Sequence, residues 1–251
     1  MKKISSILAV AILGFIAFGC RSCETIDSSK LDPSEIYQEY SVTVSDNTAV
    51  SAEFRVSGST GTTIALVAPS KVEHNGKAMN EHLRTVFSGT YYSAESGGFV
   101  GSHTFVFTDS SGKTYRNSIT FEPIKIAVDS IDLSKGNKAI VVPLSRRLAE
   151  GESLTVQLIS DVDQPKQPAN TANSNANVPS GPDYSTELAG SVDNNAKTLT
   201  IDTEGLRNFV VGKAKMHISL AGSRKPTNIG ERGGNISYSI QSPAVTANVT
   251  N

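Results

Sequence analysis

From Tyr37 onward the chain alternates apolar and polar positions. Tyr40, Val42 and Val44 fall on one face of an extended segment, a polar turn follows at "SDNT", and Val50, Ala52, Phe54 and Val56 share one face of the next. A period of two, enriched in β-branched and aromatic residues, predicts strands. The same pattern predicts strands at "TTIALVA" (62–68), "GTYYSAE" (89–95) and "HTFVFT" (103–108), and a hairpin around Asn75-Gly76. A second hairpin is expected in "HTFVFTDSSGKTYRNSITF", with Asp109 capping its turn and Gly112 at positive φ. Only "NEHLRTVF", near residue 80, has a helical turn as its alternative. Past Pro123, which marks a junction between strand-like runs, a second series begins: "AVDSIDL", "KAIVVPL", "ESLTVQLIS", "YSTELAG", "KTLTID" and "KAKMHISLAG", separated by "SKGN", "AEGE" and "VDNN" turns. The expectation is an all-β chain of two antiparallel sandwiches, residues 37–122 and 123–251.

Two stretches break the alternation. Between Asp161 and Asp183 lies "DVDQPKQPANTANSNANVPSGPD", with four prolines and repeated Asn, Ala and Ser. It is too polar to bury and too long for an ordinary connection, which predicts a long exposed loop. Loops carried on a rigid scaffold are where binding residues concentrate. Asp161, Asp163, Gln164, Asn170, Asn173, Asn175, Asp183 and Tyr184 are therefore the candidate binding residues. The other exception is the N-terminus, where Lys2 and Lys3 precede fifteen mostly apolar residues from Ile4 to Phe18 and then "GC". A positive start, a short apolar run and a small residue match an export signal, and the run is short for a permanent span. The polar "RSCETIDSSKLDPSEIY" after Cys20 predicts a solvated tether over residues 20–36.

Composition narrows the function classes. The chain has 23 basic and 24 acidic residues, and removal of residues 1–19 would take its formal charge from −1 to −3, which excludes a nucleic-acid role. Tryptophan is absent and aromatics are 6 %, so a sugar-binding face would have to rest on tyrosines such as Tyr91 and Tyr92. The letters "SSGKT" (110–114) lack the earlier glycine of a phosphate-binding loop, having Phe107 there, and precede a strand instead of a helix. "SSGK" has the S-x-x-K spacing of serine acyl-transfer enzymes without the companion motifs. His74, His82, His103 and His217 sit in separate segments with no ligand-pair spacing, and each reads as an ordinary surface or half-buried residue. Asp161, Asp163 and Asp183 bracket the long loop without the pattern of a calcium loop and read as solvated loop ends. Arg146-Arg147 and Arg224-Lys225 read as a solvated rim. No catalytic set, cofactor or metal is expected.

The quartet "AFGC" at 17–20 resembles the bacterial lipobox, in which the cysteine is lipidated on sulfur and becomes the first residue after cleavage. That resemblance implies a signal peptide over 1–19 and an acyl anchor at Cys20. It also leaves Cys23 without an intrachain disulfide partner, as an idle thiol, a second acylation point or an intermolecular link. The segment "TEGLRNFVVGKAKMHISLAG" resembles the corner before the penultimate strand of immunoglobulin-type sandwiches, lacking the usual tyrosine. Lipobox, polar tether and tandem cysteine-free sandwiches together resemble the envelope lipoproteins of Bacteroidota, whose domains are Ig-like. The "DSI" at 129–131 fits the letters of their glycosylation motif. The resemblance implies a chain anchored to the outer membrane, facing either the periplasm or the exterior. It implies a binding or scaffolding module for a protein partner, with a glycan-binding accessory lipoprotein as the alternative and an enzyme third.

Overall fold

Strands dominate because alternating side chains give each extended segment one apolar face, and pairs of sheets bury those faces against each other. The computed structural model describes residues 25–83, 89–97, 101–162 and 182–251. The fold is all-β, with nineteen strands and three single-turn 3₁₀ helices among the described residues. Two compact units form. The first takes the chain as far as Phe121 together with Arg224–Ser237, and the second takes Glu122–Ser223 and Tyr238–Asn251.

In the first unit the strands are β1 (Ile26–Asp27), β2 (Ile36–Val44), β3 (Asn47–Val56), β4 (Ile64–Ala65), β5 (Lys71–His74), β6 (Lys77–Ala78), β7 (Asn80–Leu83), β8 (Thr90–Gly97), β9 (Ser102–Thr108) and β10 (Thr114–Thr120). One sheet contains the order β2-β3-β8-β7 and the other β10-β9-β5-β6. Every second residue of β2 from Ile36 to Val44 is buried, as the alternation requires. The sheets close through aromatic rings: Tyr40 stacks on Phe105 at 4.5 Å, Phe54 meets Phe107 at 4.6 Å, and all four are fully buried. The expected turns are present. Asn75 (φ 47°) and Gly76 (φ 77°) make a two-residue hairpin between β5 and β6, and Gly112 has φ 84°.

Four expectations change in this unit. The strand expected over 62–68 shortens to β4 at Ile64–Ala65, and residues 66–69 leave the sheet as a loop whose Leu66 and Val67 amides bond to side chains and not to a neighbouring strand. Residues 26–36 are not a solvated tether: β1 pairs in parallel with β4, Ser28 and Ile36 are buried, and Ser28 Oγ accepts the Val67 amide at 2.9 Å. Short polar segments can be held by backbone pairing, which leaves no hydrophobic period to read. "NEHL" is the edge strand β7 and not a helical turn, since it pairs with β8 in register Asn80↔Ser93. Residues 224–237, counted with the second domain by sequence, belong to the first unit. There the buried Asn117 donates to the Asn228 carbonyl at 2.7 Å and accepts its amide at 2.9 Å, and Arg232 pairs with both Glu35 oxygens. That return is made by polar bonds, which carry no periodicity.

In the second unit the strands are β11 (Ser130–Ser134), β12 (Ala139–Pro143), β13 (Ser153–Ser160), β14 (Ser185–Leu188), β15 (Gly190–Asp193), β16 (Thr198–Asp202), β17 (Gly212–Arg224), β18 (Gly234–Gln241) and β19 (Val245–Thr250). Arg224 of β17 and Gly234–Ser237 of β18 fall in the first unit. One sheet runs β11-β19-β17-β13-β14 and the other β12-β16-β15; β11 and β19 are parallel, and the other pairs described for this unit are antiparallel. Its core is mostly aliphatic, with Leu133, Val156, Leu158, Leu199, Ile201, Met216, Ile218 and Leu220 buried. At the corner before β17, the 3₁₀ turn Glu204–Leu206 plugs Leu206 and then Phe209 into the interior, where an immunoglobulin corner would carry tyrosine.

Candidate functional site

The candidate loop stands on a tightly bonded base in the second unit. The Ser160 amide donates to the Tyr184 carbonyl at 2.8 Å and Asp161 to Lys213 at 3.0 Å. Across the base, the Asp183 amide donates to Asn208 at 2.7 Å and Val210 to Asp183 at 3.0 Å. Both ends of the loop are thereby fixed to β17 and the corner preceding it. Asp161 and Asp183 have exposed side chains, and Tyr184 is half-buried. Asp163, Gln164, Asn170, Asn173 and Asn175 lie outside the described residues, as do Cys20 and Cys23. Alongside its charged residues the base also exposes apolar side chains: Val162 is 43 % exposed, Val211 42 % and Ile159 38 %. Val162 Cγ2 lies 3.5 Å from the point where a Cβ on Gly212 would stand, so the two valines border the same glycine. Among the described residues no group of three or more His, Cys, Asp or Glu is placed to hold a metal.

Two histidines that sequence reasoning kept apart meet in the first unit. His74 on β5 and His103 on β9 are 29 residues apart, and their strands pair in register His74↔Phe105. Their imidazoles stack at 5.1 Å, with Nε2 of His74 2.8 Å from Nδ1 of His103, so one nitrogen donates a proton and the other accepts it. Phe105 flanks one ring at 5.2 Å and Phe121 the other at 5.2 Å. His103 is 0 % exposed and His74 5 %. Burial, and after it the neighbouring His103, lowers the His74 pKa to about 4. The signal was in the alternation: His103 is in phase with Phe105 and Phe107, and His74 with Val72, which places both rings inward. His82, by contrast, is half-buried against Tyr91 at 4.9 Å and bonds Ser93 Oγ at 2.8 Å.

The remaining sequence motifs resolve into structural roles. "SSGKT" is a hairpin turn in which the buried Asp109 carboxylate accepts the Ser111 and Lys113 amides, the Ser111 hydroxyl and the Tyr115 hydroxyl. Burial raises the carboxyl's pKa, but those bonds outweigh it and hold the group below its ordinary value. Arg146 is no solvated rim residue. Its guanidinium grips Glu152, whose side chain is 2 % exposed, and also bonds the Glu122 carbonyl. Glu152 further accepts the Ala149 amide at 2.7 Å and the Tyr238 hydroxyl at 3.0 Å. Tyr91 and Tyr92 do not form a sugar-stacking row, because neighbours on a strand point to opposite faces. Tyr92 is buried, and its hydroxyl oxygen accepts the Leu66 amide at 2.7 Å. No known protein-family model matches this chain, and a search of curated proteins finds no significant relative.

Proposed function

We propose that this chain is a lipid-anchored protein of a bacterial cell envelope, held in the outer membrane through Cys20, and that it binds or scaffolds a protein partner instead of catalysing a reaction. The observation that carries the binding role is the base of the long loop. Backbone bonds on both strands fix the loop's two ends, and Val162, Val211 and Ile159 offer apolar surface beside them. A rigid rim with exposed apolar side chains reduces the ordering cost of binding and gives a partner area to bury. The strand order of the second unit supports an Ig-like reading, with β11-β19-β17-β13-β14 set against β12-β16-β15 and a corner plug before β17. In such sandwiches the loops at one end are the usual recognition surface.

The test places a photo-crosslinking amino acid at Val211 in cells and compares the adducts with those of a chain whose residues 164–181 are replaced by a Gly-Ser turn. A discrete protein adduct that disappears on loop replacement supports the reading. Adducts that are absent, or unchanged by the replacement, overturn it.

A further inference from the structure

Only residues 21–24 separate Cys20 from Thr25, the first described residue, and the Ile26 amide is already bonded to the Thr63 carbonyl at 3.0 Å. Five steps of fully extended backbone span about 18 Å, at roughly 3.5 Å each. If acyl chains on Cys20 enter the bilayer, as the proposed function holds, the start of β1 lies at or near the headgroups. A tether of that length keeps nearby surface at a high effective concentration against the lipid, so even a weak contact is populated.

Beside β1 is an apolar loop with no other assigned role. Val67, Ala68 and Pro69 are consecutive and exposed, Val67 to 41 %, and Leu66 before them is half-buried. The loop is held rigid from beneath, its Leu66 amide on the Tyr92 hydroxyl at 2.7 Å and its Val67 amide on Ser28 Oγ at 2.9 Å. Ser28 follows β1 directly, which ties the loop to the point where the tether joins the fold. Lys30 and Lys71 lie near it with side chains 71 % and 58 % exposed, each paired with an acid of its own segment, Lys30 with Asp27 at 3.2 Å and Lys71 with Glu73 at 2.9 Å, so the contact proposed is apolar and not electrostatic.

We propose that the loop at residues 66–69 is a second membrane contact, docking onto the surface of the bilayer that holds the lipidated cysteine. The contact would fix the orientation of the first unit on the bilayer. Three consecutive exposed residues without charge offer an apolar surface that the interfacial region of a bilayer can take up.

The experiment uses full-length protein purified from membranes and reconstituted in phosphatidylethanolamine–phosphatidylglycerol vesicles, in a Cys23→Ser background. An environment-sensitive fluorophore is attached to the Val67→Cys variant or, as a control, to Asn47→Cys. Asn47 is exposed at the far end of the ten-residue β3, a strand about 30 Å long. The result expected is a blue shift and loss of fluorescence to bromolipid quenchers at position 67, with neither at position 47. Water-like, unquenched emission at both positions in protein that floats with the vesicles would overturn this contact while leaving the lipid anchor standing. Protein that does not float would overturn the anchor and the contact with it.

Discussion

Acid should unfasten the first unit through its histidine pair, by an amount the structure sets. His74 has a pKa of about 4 in the fold, against about 6.5 for an ordinary histidine. A histidine depressed in this way contributes stability that is complete above pH 6.5. Below that the unfolded chain takes up the proton first, and the contribution falls until the folded pKa near 4 is reached. At 1.36 kcal/mol per pH unit, the loss between pH 6.5 and pH 5 is about 2 kcal/mol, and about 3 kcal/mol by pH 4. The upper part of the window is the cleaner one, because Asp32, Glu35, Asp109 and Glu152 are held below their ordinary pKa values and titrate lower. Urea denaturation followed by tyrosine fluorescence is a suitable assay. Five of the seven tyrosines, Tyr37, Tyr40, Tyr91, Tyr92 and Tyr115, belong to the first unit. The double variant His74→Leu/His103→Leu removes both rings at similar volume and should flatten the pH dependence between 7 and 5. Equal slopes for wild type and double variant over that range would refute the reasoning.

Other perturbations follow from the same packing. Phe54→Ala empties a fully buried site between the two sheets of the first unit and should cost about 3–5 kcal/mol in urea denaturation. Glu152→Gln leaves the Arg146 guanidinium facing a neutral group in a site 2 % exposed, and should cost about 3 kcal/mol, with the loss confined to the second unit's transition. Asn117→Ala removes both bonds to Asn228 and should raise amide exchange across residues 224–237 while lowering stability by about 1–3 kcal/mol. Gly112→Ala forces a side chain into φ 84° and should cost about 1 kcal/mol, measurable as a lower melting temperature.

What the sequence showed, and what it hid, divides along the range of the interactions involved. The strands, the Asn75-Gly76 hairpin and the Asp109 turn were legible because each rests on residues within a few positions of one another. Ile236, Tyr238 and Ile240 on β18, and Ala247 and Val249 on β19, carry the same alternation, but these two strands were not among those expected, whose series ended with "KAKMHISLAG". The return of residues 224–237 and the folding of residues 26–36 were not legible, since both depend on polar partners up to 197 residues away. The histidine pair lay between these cases. Its inward phase was readable on each strand, whereas its meeting required the pairing of β5 with β9, which no local pattern announces. The candidate loop's position was legible from its composition, whereas its bonded base and the exposed valines beside it come from the structure.

The most direct test of the central proposal, a lipid anchor on Cys20, is detergent phase partition of wild type and Cys20→Ser from carbonate-washed membranes. Acyl chains on Cys20 are the proposed source of retention. Wild type should partition into the detergent phase and Cys20→Ser should be released to the aqueous fraction. A Cys20→Ser protein that stays with the washed membranes would contradict the account.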